Sequence, residues 1–218
     1  MNKREIVIET LKHKRVEVVP YNIDFTVAMR EKMRKHLGLK TSEELGMKIG
    51  NFCVRLNVGS VTGPSEGMIE EIYPKKVGEY IYRDDWGVIW KRKQGDDIGV
   101  VVEPVLKEAS LKGFNAPVPL SRKKYLNTFC KENLDRFKLV SMSSPIFQRV
   151  WFLRGFTSFL MDMALNKKFV HELLDMIMVY NMNIIKEVIQ YDIDGFSFLM
   201  IGDSRGSDYV SEYVAGIY

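Results

Sequence analysis

The sequence predicts an α/β protein with a parallel β-sheet, because residues 137–198 read as a strand, two helices and a second strand. The apolar run 137–140 precedes helical patterns over 146–165 and 168–190, and residues 193–198 have the second strand pattern. Such a crossover joins parallel strands covered by helices. Ligands bind at the carboxyl ends of parallel strands, so we expect a site where these two strands end.

The longer helical pattern has an apolar stripe at the spacing i, i+3, i+4, i+7 that is typical of a core-facing helix. Several methionines thicken this stripe. We expect these methionines to fill the core, with the lining of a cofactor pocket as the alternative. The stripe consists of Val170, Leu173, Leu174, Ile177, Ile184, Ile185 and Val188.

Upstream of the crossover, helix and strand patterns alternate. An amphipathic helix covers residues 4–12, and the β-rich stretch 16–23 predicts a strand that Pro20 places at an end or edge. Thr26 is the expected N-cap of a helix that ends at Gly38. A short helix over 41–50 and a half-buried strand over 52–58 follow.

Residues 59–119 change character, because glycine and proline recur and helical patterns vanish. Strand patterns at 79–83, 88–92 and 100–102 alternate with turns, which predicts an inserted antiparallel meander. After this insertion, Ser121 is the expected cap of a further helix.

Composition limits the functional classes. The chain has 218 residues, 46% of them hydrophobic, and a net charge of +4, with no basic block that would indicate a nucleic-acid surface. No run approaches the length of a membrane span, and the amino terminus does not resemble a signal peptide. Cys53 and Cys130 lack a C-x-x-C partner, so we expect free thiols. These features predict a cytoplasmic protein.

Five short motifs along the chain together resemble the uroporphyrinogen decarboxylase superfamily, and in particular its methyltransferase-like branch. They are Arg15-Val16-Glu17-Val18-Val19-Pro20, Tyr82-Arg83-Asp84-Asp85-Trp86-Gly87-Val88, Glu103-Pro104-Val105-Leu106, the segment from Ser144-Pro145 to Leu153-Arg154-Gly155-Phe156, and Asp194-Gly195. Each motif is weak alone, but their order and spacing are fairly specific.

The resemblance implies the N-terminal part of an incomplete (β/α)8 TIM barrel over residues 1–198, with the β-rich insertion at 59–119. Residues 199–218 do not match the family and are expected to be an aberrant tail. Codons for the family's Asp-Asp-Trp-Gly, read one base later, give the Met200 to Asp203 sequence, which suggests an out-of-frame tail. The alternative is a genuine short tail in which Asp203 is the family's displaced strand-end acid.

The parent activity that the resemblance implies is methyl transfer between a corrinoid carrier and a thiol-type acceptor. Uroporphyrinogen III decarboxylation, in porphyrin biosynthesis, is the alternative within enzymes. A catalytically inactive fragment is the alternative of another class.

The resemblance also names four residues as candidates for substrate binding. Arg30 is the arginine nearest to the decarboxylase's carboxylate-binding motif, with a solvated helix arginine as the alternative. Trp151 replaces a tyrosine that follows its proline turn, with core packing as the alternative. Arg149 is placed to reach an anionic group at a strand end, with an ion pair to Asp162 or Glu172 as the alternative for Arg149 or Arg154. Asp203 is the fourth candidate.

The cofactor expectations follow from the histidines and cysteines. The methyltransferases bind zinc through a His-x-Cys pair and a later Cys, whereas His13, His36 and His171 have no cysteine partner at that spacing. We therefore expect no bound metal in this chain, although zinc and a corrinoid partner are implied for the full-length family. The expected partners are a small molecule or a corrinoid protein, without nucleic acid or membrane. An unpaired parallel edge strand also predicts self-association.

Overall fold

The computed structural model of the chain describes residues 1–59, 69–93, 96, 99–143 and 146–199. The helices are α1 (Lys3–Leu11), α2 (Val27–Leu37), α3 (Ser42–Lys48), α4 (Lys123–Glu132), α5 (Phe147–Arg154), α6 (Phe156–Leu165) and α7 (Lys167–Val188), with a 3-10 turn at Glu70–Ile72. The strands are β1 (Cys53–Asn57), β2 (Lys75–Gly78), β3 (Ile81–Arg83), β4 (Ile89–Lys91), β5 (Val100–Glu103), β6 (Phe137–Ser143) and β7 (Gly195–Leu199). Across these residues, no helix has the length and apolarity needed to cross a membrane.

The strands form two sheets, which confirms the mixed α/β architecture. One sheet is parallel in the order β1-β6-β7, and the other is antiparallel in the order β2-β3-β4-β5. In the parallel sheet Cys53 lies opposite Phe137, and Leu139 lies opposite Gly195. The described strands do not close into a barrel, so the barrel stays a prediction. The first residue of the expected tail, Leu199, is the last residue of β7, whereas residues 200–218, including Asp203, lie outside the described residues.

The predicted strand over residues 16–23 is wrong, since the structure shows no regular strand there. Tyr21 O accepts a hydrogen bond from Phe52 N at 3.1 Å, but the neighbouring backbone bonds to a side chain instead of a strand. Asn51 Oδ1 accepts from Ile23 N at 2.9 Å, and Asn51 Nδ2 donates to Ile23 O at 3.1 Å. The side chain of Asn51 therefore replaces the ladder that would have placed residues 16–23 beside β1.

The antiparallel meander is confirmed, and it contains one strand more than predicted, β2. Trp86, Val88 and Trp90 are buried in the same apolar core as the helices. The Trp90 ring meets Phe152 of α5 edge to face, with ring centroids 4.7 Å apart. The insertion therefore packs on the helical layer through Trp86 and Trp90.

The crossover between β6 and β7 contains three helices where two were predicted. The pattern over 146–165 is one continuous helix in the sequence, but the structure ends α5 at Arg154 and begins α6 at Phe156. Gly155 between them has φ 85° and ψ 140°, a conformation that side-chain-bearing residues avoid. The longer helical pattern is confirmed as α7.

The N-caps of α2 and α4 show one prediction confirmed and one wrong. Thr26 Oγ1 accepts from Met29 N at the start of α2, and Gly38 ends that helix in the left-handed conformation. Ser121 does not cap α4, whose N-cap is Arg122 without a side-chain hydrogen bond. The Ser121 hydroxyl donates instead to Glu187 Oε1 of α7 at 2.8 Å. The Glu187 carboxylate on α7 thus binds the hydroxyl that was expected to accept from the N–H groups at the start of α4.

A charged cluster at the amino ends of β6 and β7 ties α1 to the parallel sheet. Arg4 donates to both carboxylate oxygens of Asp194, and Asp194 Oδ2 accepts from Lys138 N at 2.8 Å. The fully buried Lys138 ammonium lies 2.6 Å from Asp192. The hydrogen bond from Lys138 lowers the pKa of Asp192, and the one to Asp194 raises the pKa of Arg4.

The Gly155 break yields a stability prediction. Gly155→Ala should lower the free energy of unfolding by about 1–3 kcal/mol, because alanine is strained at this φ. A Cβ there would lie 3.6 Å from Pro104, an ordinary contact, so backbone strain alone is tested. Gly78→Ala in β2 is the matched control. Urea unfolding of both variants checks this, and equal stabilities would contradict it.

The cluster around Lys138 yields a pH prediction. Because the pKa of Asp192 is lowered in the folded state, its contribution to stability is present above the unfolded value of about 4 and is lost as pH falls through the folded value. Asp192→Asn should therefore weaken the acid dependence of the urea midpoint below about pH 4. Asp175→Asn on the exposed face of α7 should retain it. An unchanged dependence in Asp192→Asn would refute the assignment.

Candidate functional site

Small polar side chains lie on one face of the parallel sheet, where β1 and β6 end. Asn57 is opposite Ser141 in the register, and Ser143 follows two residues later, so the three side chains share that face. All three are buried. Asn57 Nδ2 donates to Ser143 Oγ at 2.6 Å, and Gly59 N donates to Asn57 Oδ1 at 3.0 Å. We call Asn57, Ser141 and Ser143 the polar row.

Ser141 distinguishes the polar row from ordinary core packing. Its side chain is fully buried, and its hydroxyl has no hydrogen-bond partner in the described part of the chain. A buried polar group without a partner costs about 1–3 kcal/mol. A polar ligand group or a bound water would remove this cost, so the Ser141 hydroxyl marks a position for one.

The backbone approaches the polar row closely at Gly59. A Cβ on Gly59 would lie 2.7 Å from Met142 Cγ and 2.8 Å from Ser143 N. Only glycine therefore fits at this point, directly after β1. The close approach holds the carboxyl ends of β1 and β6 together.

The sequence analysis located two of the three residues of the polar row. It placed a site after the apolar run 137–140, where Ser141 and Ser143 lie. It missed Asn57, because the alternation of residues 52–58 drew attention to the apolar face of β1 and away from the opposite one. A polar residue at an odd position near the end of that strand was the available signal.

The Asp84 carboxylate receives four donors in the core. Its Oδ1 accepts from Trp86 N at 3.0 Å and Val88 N at 2.9 Å, and its Oδ2 accepts from Trp90 Nε1 at 3.1 Å. Arg149 Nη1 is the fourth donor, 2.7 Å from Oδ2. This geometry gives the Asp84-Asp85-Trp86-Gly87 motif a structural role, as the turn between β3 and β4.

Arg149 pairs with the carboxylate of Asp84, a partner that the sequence analysis did not name, so its predicted role in substrate binding stays a prediction. The pair is almost completely buried, with 3% and 0% of the two side chains exposed. Of the two carboxylates that were proposed as alternative partners, Asp162 pairs with Arg154 Nε at 2.7 Å, as expected for one of the two arginines. The other, Glu172, lies near Lys168.

A second buried polar contact joins the meander to α7. The Tyr180 hydroxyl donates to Asp85 Oδ2 at 3.1 Å. Burial, together with the negative charge of Asp85, raises the pKa of Tyr180. Nearby, the fully buried Arg122 donates through Nε to Val58 O at 2.7 Å, directly after β1. Arg122 thus fixes the backbone just after the carboxyl end of β1, and Tyr180 ties α7 to the meander.

Trp151 packs on the apolar core, against the ring of Phe152 at 4.2 Å between centroids and against Phe156 at 6.0 Å. It is half-buried. Trp151 shares its contact with Phe152 with the Arg149 guanidinium, which lies 5.5 Å from the centre of the Phe152 ring. Trp151 is an aromatic contact between α5 and the start of α6.

Arg30 lies in a different place, on a cavity of about 540 Å³ along the edge of β1. Its Nη2 donates to Phe25 O at 2.9 Å. Arg55 and Arg136 also line the cavity, where they pair with Asp24 at 3.2 Å and Glu43 at 2.8 Å. The cavity is of the size that small-molecule sites have. The structure therefore separates Arg30 from Arg149 and Trp151, which do not line it.

The edge of β1 faces this cavity. Phe52 O accepts from Phe137 N, and Val58 N donates to Ser141 O, so the even-numbered residues of β1 bond to β6. In a parallel strand the alternate residues point their N–H and C=O groups the other way. Residues Cys53 to Leu56 all line the cavity. The cavity thus exposes backbone groups as well as charged side chains.

The residues described by the structure do not fit the zinc site that the resemblance implies. No group of three or more His, Cys, Asp or Glu side chains among them could hold a metal ion. Cys53 and Cys130 are free thiols, and burial raises the pKa of both. The three histidines are exposed and lie apart, after α1, on α2 and on α7.

The Asp84–Arg149 pair yields a strong stability prediction. Asp84→Asn should cost about 3–5 kcal/mol, because it leaves the Arg149 charge buried without its carboxylate. Asp175→Asn, an exposed change of the same type, should cost little. Chemical denaturation measures both, and the double variant Asp84→Asn/Arg149→Met should recover part of the loss. A loss below about 1 kcal/mol in Asp84→Asn would contradict this account.

In comparisons with known proteins, no family model, no curated protein and no solved structure matches the chain.

Proposed function

We propose that the chain is a uroporphyrinogen-decarboxylase-like protein that binds a small polar molecule at the polar row. The parent activity in this proposal is methyl transfer between a corrinoid carrier and a thiol-type acceptor. The buried, unpartnered Ser141 hydroxyl at the carboxyl ends of parallel strands is the observation that supports binding of a polar molecule, and the sequence motifs are the support for methyl transfer.

The order of the parallel strands supports the barrel part of this proposal. β1, β6 and β7 are neighbours in the order in which they occur in the chain, with helices between them. In a (β/α)8 barrel each strand pairs with the one before it, and active sites lie at the carboxyl ends. The polar row lies at those ends.

Methyl transfer is tested with free methylcobalamin and a panel of small thiols under anaerobic conditions, with and without zinc chloride, because the described residues do not form a zinc site. The methyl group passes from cobalt to the thiol sulfur, the thiol proton passes to solvent, and the electron pair of the broken Co–C bond stays on the corrinoid as cob(I)alamin, whose spectrum reports the rate. We expect turnover by the wild-type chain and about a tenfold loss in Ser141→Ala, the scale of one hydrogen bond to a bound group. Ser110→Ala, at an exposed serine, should leave the rate unchanged.

A second candidate function is uroporphyrinogen III decarboxylation, and Arg30 is the observation that favours it. Arg30, Arg55 and Lys124 line the cavity beside β1, where a substrate carboxylate could approach guanidinium and ammonium groups. Incubation with uroporphyrinogen III, with the product oxidised and measured by porphyrin fluorescence, tests it. Arg30→Gln should then reduce decarboxylation and leave methyl transfer unaffected.

The two assays separate the three functional hypotheses. Methyl transfer that is lost in Ser141→Ala supports the first, and decarboxylation that is lost in Arg30→Gln supports the second. If a folded chain catalyses neither reaction, both proposals fail, and the hypothesis that the protein is catalytically inactive remains. Circular dichroism and a cooperative melt establish that the tested protein is folded.

A further inference from the structure

The open edge of β1 presents main-chain groups to the cavity beside it. The ladder with β6 uses the even-numbered residues of β1, so the N–H and C=O groups of Cys53, Arg55 and Asn57 point away from β6. Within the described residues, no hydrogen bond outside this ladder reaches the main chain of Cys53 or Arg55. Because both residues line the cavity, their N–H and C=O groups are available to a main chain that lies in it.

Helix α4 runs antiparallel to β1 along this cavity. Just before its amino end, Arg122 donates through Nε to Val58 O, directly beyond the carboxyl end of β1. Its carboxyl end leads into β6, whose first residue, Phe137, lies opposite Cys53. The amino end of α4 therefore lies near the carboxyl end of β1, and the carboxyl end of α4 lies near the start of β1.

Two charges of opposite sign lie on α4 where the helix lines the cavity. Lys124 is near the amino end of α4 and Glu132 is its last residue, and both line the cavity. Among the described residues, neither side chain has an ion-pair or hydrogen-bond partner. Eight residues separate them, which is about 12 Å along a helix. The positive charge thus lies toward the carboxyl end of β1, and the negative charge toward its start.

Apolar side chains line the cavity between these two charges. Tyr125 and Phe129 of α4 belong to the same apolar cluster as Val54 and Leu56 of β1, and all four line the cavity. Val54 and Leu56 are alternate residues of β1, so their side chains share one face of the sheet, and the Arg55 side chain lies on the other. A strand beside β1 would therefore meet apolar side chains on one face and a guanidinium on the other.

We propose that the cavity binds a short zwitterionic peptide as an additional parallel strand beside β1. An extended tripeptide spans about 10 Å, which is close to the separation of the two charges on α4. Its ammonium group lies near Glu132 and its carboxylate near Lys124, so the peptide runs in the same direction as β1. The cavity volume of about 540 Å³ is within the range of small-molecule sites. In strand addition the main chain supplies affinity, and the flanking side chains supply specificity.

The free main-chain groups of Arg55 set the register of the peptide. Arg55 N donates to the carbonyl of the first peptide residue, and Arg55 O accepts from the N–H of the third, while the second residue turns its N–H away from β1. The first and third side chains lie on the face of Val54 and Leu56, and the second lies on the face of Arg55. These positions favour apolar first and third residues and an acidic second residue, as in the peptide Val-Glu-Val.

Peptide binding is independent of both catalytic proposals. The polar row does not line this cavity, and binding is measured without any reaction. The second candidate function places a substrate carboxylate in the same cavity, so a carboxylate without a peptide main chain is included in the test.

The test is calorimetric titration of the full chain with Val-Glu-Val, for which we expect saturable binding with a Kd below about 1 mM. Methylation of the third peptide nitrogen removes the hydrogen bond to Arg55 O and should weaken binding about tenfold. Methylation of the second nitrogen, which faces away from β1, is the matched control and should change the Kd less than about threefold. The absence of saturable binding, or equal Kd values for the two methylated peptides, overturns the proposal.

Variants of α4 test the direction of the peptide. Glu132→Gln should weaken the binding of Val-Glu-Val about threefold, the scale of an exposed ion pair, and should leave the binding of N-acetyl-Val-Glu-Val, which has no ammonium group, unchanged. Lys131→Gln, at an exposed position outside the cavity, should bind both peptides like the wild type. An equal loss for both peptides in Glu132→Gln would place the ammonium group elsewhere and contradict the assigned direction.

Glutarate tests whether the cavity recognises anions alone. This dicarboxylate has no peptide main chain, so we expect binding at least about tenfold weaker than that of Val-Glu-Val. Glutarate that binds as tightly as the peptide overturns the proposal and favours the substrate carboxylate of the second candidate function.

Discussion

The carboxylate of Asp84 is the constraint on which the packing of the antiparallel meander against helix α5 depends. It closes the turn between β3 and β4 through two backbone N–H groups, holds the indole of Trp90, and neutralises Arg149 of α5. These donors come from the antiparallel meander and from the helical layer, so one buried group fixes how they meet. Burying a charge is costly unless it is paired and hydrogen-bonded. Here four donors meet that requirement.

Arginines elsewhere in the structure have similar architectural roles. Arg4 ties α1 to Asp194, Arg122 supports the end of β1, and Arg154 joins α5 to Asp162. Each guanidinium connects elements that are distant in sequence or separated by a turn. An arginine in a loop or first helical turn is therefore weak support for anion binding until its internal partners are known. Arg149 is the clearest case, since its anion is part of the protein.

The candidate binding sites lie apart from these internal pairs. Ser141 is buried without a partner at the carboxyl end of β6, and Arg30 lines the cavity beside β1. A polar ligand group would satisfy the Ser141 hydroxyl, and a small anion would suit the basic side chains of the cavity.

The sequence by itself determined the elements whose signals are local. The apolar stripe fixed α7, Thr26 and Gly38 fixed the ends of α2, and the crossover pattern fixed β6 and β7 as parallel neighbours. Turn residues such as Asp84 and Gly87 located the meander. These succeeded because periodicity and capping act over a few residues and leave a direct trace in the sequence.

Only the tertiary structure decided the contacts between residues that are distant in sequence. The amide of Asn51 displaced the predicted strand over 16–23, Glu187 took the hydroxyl of Ser121, and the conformation of Gly155 divided one helical pattern into α5 and α6. Asn57 joined Ser141 and Ser143 because strand register, which no single stretch encodes, placed them on one face. A side chain's partner depends on which groups the fold brings within hydrogen-bonding distance, and that distance is a property of the whole chain.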